Sequence, residues 1–199
     1  LDTYKPEIIW KAISKNQAIT DFVFKKFDDN FGFYYREKIK NNNVIHKDTA
    51  VLLSTSGTTG SSKFVRLSYR NIESNARSIS QYLQLSPREK AITTLPMHYS
   101  YGFSVINSHL SAKASLVCTD KTVIERSFWI LFNQQTCTSF AGVPYTFEIL
   151  NRLKFANMET PSLRSVTQAG GSLNPKLIQH FYDISQKKDF SFYVMYGQT

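Results

Sequence analysis

The 199 residues are 42% hydrophobic and 20% charged, enough apolar material for a buried core and unlike a disordered or fibrous chain. The net charge of +9 divides as nine basic and seven acidic groups over residues 1–48 and fifteen and eight over residues 49–199. Basic residues never run beyond two in succession, so the clustered stripe that nucleic acid demands is missing and no nucleic-acid partner is expected.

Residues 1–48 have weak periodicity. Ile8, Ile9, Trp10 and Ile13 fit one helical face, Phe22, Phe24, Phe27, Phe31 and Phe33 offer apolar contacts, and Lys40-Asn41-Asn42-Asn43 reads as a loop. This segment lacks a chemical motif and reads as structural. From residue 49 the pattern becomes regular. Ala50 to Leu53 is a short apolar run of the kind found in buried strands. After a Gly/Ser/Thr loop, Ile72, Ala76, Ile79 and Leu83 recur at helical spacing, with Ser68 placed to cap the helix start. Strands are then expected at 91–95, 115–118, 139–143, 163–168 and 190–196. Helices are expected at 105–110, 123–133, 144–153 and from Asn174-Pro175 onward, where a capping residue precedes a proline that needs no N–H. Alternating strands and helices give an α/β chain with a mostly parallel sheet covered by helices on both faces. In such sheets ligands sit beyond the carboxyl ends of the strands. The division expected is a segment 1–48 without a motif and an α/β core 49–199.

The cysteines, Cys118 and Cys137, have no CxxC spacing and no companion histidines, which argues against a disulfide scaffold or zinc site and suits reduced thiols in a cytoplasmic protein. No apolar run reaches the ~20 residues of a membrane span.

Chemistry concentrates in the loop after the first regular strand, Ser54-Thr55-Ser56-Gly57-Thr58-Thr59-Gly60-Ser61-Ser62-Lys63. Glycines permit positive φ and close backbone approach, hydroxyls and free amides donate to phosphate oxygens, and Lys63 adds a point charge. A flexible linker has no need of a preceding strand, a terminal lysine and a capped helix. A Walker A loop is disfavoured: Lys63 is correctly spaced from Gly57, but Ser62 replaces the required glycine and Phe64 the metal-binding Ser/Thr.

The same loop resembles the AMP-binding signature of the adenylate-forming superfamily, which includes acyl-CoA synthetases, luciferases and peptide-synthetase adenylation domains. Ser62 stands where the signature has proline and Phe64 where it has glycine. Four more segments resemble family motifs in the family's order: Leu67-Ser68-Tyr69-Arg70-Asn71-Ile72, Leu95 to Phe103, Gly142-Val143-Pro144, and Gln168-Ala169-Gly170-Gly171-Ser172-Leu173. Tyr196-Gly197-Gln198-Thr199 then matches the family's YGxTE motif up to its glutamate. The resemblance covers about residues 50–199.

It implies a carboxylate activated by ATP and Mg²⁺ to an acyl-adenylate with release of pyrophosphate, then transferred to a thiol, most often that of coenzyme A. Alternatives within the family are delivery to a carrier-protein thiol, or an inactive nucleotide-binding scaffold. By resemblance, Lys63 and Thr199 are the catalytic pair. Thr55, Ser56, Gly57, Thr58, Thr59, Gly60, Gly170, Gly171, Ser172, Tyr196 and Gly197 join them around the nucleotide. Tyr99, Gly102, Val143 and Gly170 form the acyl pocket, with Tyr99 as its gate. His98 is a second candidate beside Tyr99. A metal-binding glutamate is expected just past Thr199, and a small lid domain later in a longer protein. The 199 residues alone are expected to be catalytically crippled.

Overall fold

A computed structural model describes residues 46–54 and 64–198, together with the backbone of three short strands nearer the amino terminus. The chain forms two compact units, residues 1–71 with Thr199, and residues 72–198.

In the first unit, β1 (Ile8–Ile9), β2 (Val23–Lys26) and β3 (Gly32–Tyr35) form an antiparallel sheet in the order β1-β3-β2. Ile8 and Ile9 therefore lie in a strand rather than on a helical face. Their β-branched side chains suit a pleated strand, and their partners Tyr35 and Tyr34 are too distant in sequence for local periodicity to reveal. Trp10, Ile13 and the run 40–43 lie outside the described residues. Next come β4 (Thr49–Ser54) and β5 (Phe64–Ser68), an antiparallel pair in which Ser54 faces Phe64 across the base of the glycine-rich loop. Strand β5 was not expected, although Val65 and Leu67 alternate with Arg66 and Ser68.

Helix α1 (Tyr69–Tyr82) starts where Ser68 predicts. The Asn71 amide donates to Ser68 Oγ at 3.2 Å, and the Ser68 amide donates back to Asn71 Oδ1 at 3.0 Å, a reciprocal cap that satisfies two otherwise orphaned donors.

The second unit is built on five parallel strands: β6 (Lys90–Ile92), β7 (Ser115–Val117), β8 (Ser139–Gly142), β9 (Ser165–Gln168) and β10 (Ser191–Val194). Their order is β10-β9-β8-β6-β7. Between them run α2 (Ser100–Ser111), α3 (Arg126–Gln134), α4 (Pro144–Arg152) and α5 (Pro175–Lys188). The expected α/β architecture, a parallel sheet flanked by helices, is present.

Strand alternation decides which side chains each helix layer meets. Ile92, Phe140 and Val166 join the large core with Phe128 and Phe132 of α3, Phe147 and Leu150 of α4, and Phe181 and Ile184 of α5. The intervening residues Ala91, Ala141 and Thr167 share a cleft with residues of α2 and the end of α1. Phe155, Phe181 and Phe192 add ring contacts with centroids about 6 Å apart, in the range where aromatic pairs stabilise beyond their buried area. At the amino ends of the strands, buried Glu89 accepts from Thr138 Oγ1 at 2.7 Å and pairs with Arg164 at 3.0 Å. That clamp ties β6, β8 and β9 together at the end opposite their carboxyl rim.

Candidate active site

Three expected motifs follow three neighbouring strands. Gly142-Val143-Pro144 leaves β8, Ala169-Gly170-Gly171 leaves β9, and Met195-Tyr196-Gly197 leaves β10. The segment Thr93 to Tyr99 leaves β6, the strand beside β8. All four turns share the carboxyl rim of one parallel sheet, the edge at which open α/β sheets bind ligands.

The turn after β9 is shaped by its glycines. Gly170 has φ +79°, a left-handed conformation that costs an L side chain about 1–2 kcal/mol. A Cβ there would lie 2.6 Å from the Tyr99 hydroxyl and 3.1 Å from Val143 Cγ1. Tyr99, Val143 and Gly170 are thus brought into one contact group. Gln168, buried at the end of β9, donates from Nε2 to the Gly171 carbonyl at 2.9 Å and fixes the turn from below. Ser172 is exposed just beyond it.

Tyr99 caps the start of α2 with extended backbone, accepting from the Phe103 amide at 2.9 Å. Its neighbour His98 is exposed on the turn, whereas Tyr99 is half-buried against the rim. Gly102 sits in the first turn of α2, where a Cβ would stand 2.3 Å from the Pro96 carbonyl oxygen. Its bare Cα lets the helix rest directly on the Leu95-Pro96 backbone.

Tyr196 is 88% exposed, and its hydroxyl meets Gln198 Nε2 at 2.6 Å. A Cβ on Gly197 would meet nothing within 4 Å. An aromatic face beside an open backbone is what base stacking needs. Residues 55–63 and Thr199 lie outside the described residues, so the positions of Thr55, Ser56, Gly57, Thr58, Thr59, Gly60, Lys63 and Thr199 are not described. Among the described residues, no three His, Cys, Asp or Glu side chains gather to hold a metal, and no helix is long and apolar enough to cross a membrane.

Below the rim lie polar pairs whose partners the sequence did not reveal. The Tyr101 hydroxyl donates to Thr167 Oγ1 at 2.6 Å, and burial drives its pKa far above the ordinary phenol value, so it remains a protonated donor. His109 Nδ1 lies 2.8 Å from the Val105 carbonyl, which places a proton on Nδ1, and Nε2 faces Ser139 Oγ at 3.4 Å. Burial lowers the His109 pKa, against smaller raising effects from the Val105 carbonyl and Glu89. Tyr101 lies within the Leu95–Phe103 segment, but no sequence pattern links it to Thr167 or His109 to Ser139, so only the fold reveals these pairs.

The sequence pattern of the family described as AMP-binding enzyme matches residues 5–199. The chain belongs to that family. It is 32% identical over 140 residues to an acyl-CoA synthetase, ALT10, of Alternaria alternata, covering 68% of this chain and 24% of that protein. It is 28% identical over 129 residues to an oxalate–CoA ligase of Saccharomyces cerevisiae, covering 64% of this chain and 23% of the relative. The chain therefore spans about a quarter of the length of these curated relatives. Among solved structures, O-succinylbenzoate coenzyme A synthetase from Bacillus subtilis in complex with AMP superposes with a TM-score of 0.65. That match has 23% identity and covers 76% of this chain and 30% of the other, and it shows the shared fold. The AMP-binding family chain thus displays the four motif segments that follow β6, β8, β9 and β10 along one sheet rim, in an α/β unit resembling the adenylate-forming enzymes.

Proposed function

We propose that the protein containing this chain activates a carboxylic acid with ATP and passes the acyl group to the thiol of coenzyme A. The observation carrying this reading is the convergence of Tyr99, Val143, Gly170 and Tyr196 on the carboxyl rim of adjacent strands in a member of the AMP-binding family. The ligase names of its relatives support the thioester step.

In the first half-reaction a carboxylate oxygen attacks the α-phosphorus of ATP, forming the acyl–phosphate bond as the bond to pyrophosphate breaks. Such transfer depends mostly on positioning and charge neutralisation. Tyr196 stacks on adenine, and the turn at Gly170 and Gly171 brings backbone close to the nucleotide and the acid. Tyr99 closes the acid's side against Gly170. Lys63 and the hydroxyls of Thr55, Ser56, Thr58 and Thr59 hold the phosphates that depart, with Gly57 and Gly60 giving the loop its close approach. Thr199 steadies the α-phosphate. In the second half-reaction the thiol sulfur attacks the acyl carbon, and AMP leaves with the bonding electron pair. Mg²⁺ would neutralise phosphate charge, but the described residues offer no ligand cluster for it, and no step here is assigned to it.

The test is acid-dependent exchange of pyrophosphate into ATP by the full-length protein, over a panel of aliphatic, aryl and amino acids. Exchange that requires one acid and falls at least about a hundredfold in Lys63→Ala supports the reading, as loss of a preorganised charge contact commonly has that effect. Absence of exchange with every acid, in folded protein, removes it.

A further inference from the structure

Helices α2 to α5 each run from the carboxyl rim back to the amino ends of the strands, so their last turns and the loops that follow meet at one end of the second unit. Contacts between those loops bear this out. Lys188 at the end of α5 donates to the Met158 carbonyl, and Asn133 near the end of α3 donates to the Glu159 carbonyl. Residues 72–198 contain twelve basic and eight acidic side chains. Eight of the basic ones but only three of the acidic ones stand at this end, which leaves the rest of the unit with four and five. The unit's excess positive charge is therefore gathered opposite the rim, from residues too scattered in sequence to form a run.

Three of the eight basic groups are committed: Arg164 pairs with buried Glu89, Lys90 donates to the Gln135 carbonyl, and Lys188 to Met158. The other acids at this end, Glu159 and Asp189, are exposed. Arg88, Lys113, Arg152, Lys154 and Lys187 are exposed and pair with no acid among the described residues. Arg152 and Lys187 lie in the last turns of α4 and α5, where a cation complements the carbonyl end of its helix. Lys113 and Lys154 sit past the helix ends at φ +59° and +55°, left-handed positions that glycine fills at less cost. A helix end needs no lysine there. Each also stands by an exposed leucine: the Lys113 amide donates to the Leu110 carbonyl, and Lys154 follows Leu153.

The five cations precede β10, β9, β6 and β7, and so reach from one edge strand to the other, about 19 Å at about 4.8 Å per strand. A small anion needs charges that converge on it, whereas this spread suits a surface of many mobile phosphates. The partners of Lys113 and Lys154 are leucines rather than stacking aromatics, which fits lipid better than nucleic acid. We propose that this end of the unit docks on an anionic lipid bilayer, with its cations at the headgroups and Leu110 and Leu153 entering the interface. The carboxyl rim then faces away from the membrane and stays open to solvent. Such binding is independent of the acid-activating chemistry and is read without it.

Sedimentation of the full-length protein with vesicles of phosphatidylcholine, alone or with about a third phosphatidylserine, tests the face directly. The protein binds the anionic vesicles and not the neutral ones, and binding weakens as salt rises. Lys113→Gly combined with Lys154→Gly lowers affinity for the anionic vesicles about 20- to 30-fold, since each basic side chain near an anionic leaflet is worth about fivefold. Glycine suits both backbone positions, so this variant keeps its melting temperature and the loss is not one of folding. Leu110→Ser combined with Leu153→Ser weakens binding several-fold at unchanged charge. No binding to the anionic vesicles, equal binding to the two vesicle types, or unchanged binding in either folded variant overturns the proposal. Tighter binding to a short DNA duplex than to the anionic vesicles also overturns it, in favour of a nucleic-acid partner.

Discussion

Replacing Gly170 with alanine tests the shape of the rim at a single atom. Two costs arise, and they separate. The backbone at φ +79° resists any Cβ by about 1–2 kcal/mol, whatever surrounds it. The new methyl also lies 2.6 Å from the Tyr99 hydroxyl but 3.6 Å from the ring carbon bearing it, so within Tyr99 the clash is with the oxygen alone, while the 3.1 Å contact with Val143 Cγ1 is common to both backgrounds. Relieving it by shifting Tyr99 adds about 1 kcal/mol, at the low end for overpacking because a side-chain tip can move. Tyr99→Phe deletes that oxygen. The expected result is a loss of about 2–3 kcal/mol for Gly170→Ala in the native background and about 1–2 kcal/mol in the Tyr99→Phe background, with a coupling of about 1 kcal/mol between the sites. Urea unfolding of the four proteins measures it, and the KM for the acid should rise in Gly170→Ala and partly recover in the double variant. Equal destabilisation in both backgrounds would refute the contact between Tyr99 and Gly170 on which the site is built.

Further expectations follow from other contacts. Gly102→Ala should lose about 3 kcal/mol, because its Cβ meets the Pro96 carbonyl at 2.3 Å and backbone cannot rotate away; denaturant unfolding reads this, and a loss below that of Gly170→Ala would contradict it. Ser68→Ala removes the reciprocal cap of α1 and should cost about 1 kcal/mol in the same assay. His109 titrates below its ordinary 6.5 in the fold, so the unfolded chain takes up the proton first. Its contribution to stability is then full above pH 6.5 and is lost as pH falls from there toward the lowered folded value. His109→Gln should flatten the pH dependence of stability in that window, and an unchanged slope would remove the assignment. Burial pushes the Cys137 thiol up to about 11 while Cys118 is exposed, so iodoacetamide at pH 8 should label one site in the native protein and both after unfolding.

The sheet was legible because its strands are short apolar runs, such as Ser139–Gly142, bounded by polar turns, with amphipathic helices between them. Where boundaries moved, tertiary contacts account for it. A strand expected at 91–95 ends at Ile92, because Thr93 and Thr94 turn their hydroxyls to the carbonyls of Thr119 and Ala141. The helix expected at 105–110 begins at Ser100, since Gly102 weakens the local signal while its close packing on Pro96 supplies what propensity does not. The rim motifs could be read because glycine and proline punctuate them. The Tyr101–Thr167 and His109–Ser139 pairs could not, because residues separated by 66 and 30 positions meet only once the sheet has formed.

The central claim is that the rim formed by the turns after β6, β8, β9 and β10 holds an acyl-adenylate. It is tested most directly by calorimetric titration of the full-length protein with a non-hydrolysable acyl-adenylate analogue, beside Tyr196→Ala. Loss of base stacking is worth about 1–3 kcal/mol, so affinity should fall about fivefold to 150-fold, with native unfolding behaviour retained because Tyr196 is exposed. Equal affinity in the two proteins, or no binding to the native one, would contradict the assignment of this rim as the adenylate site.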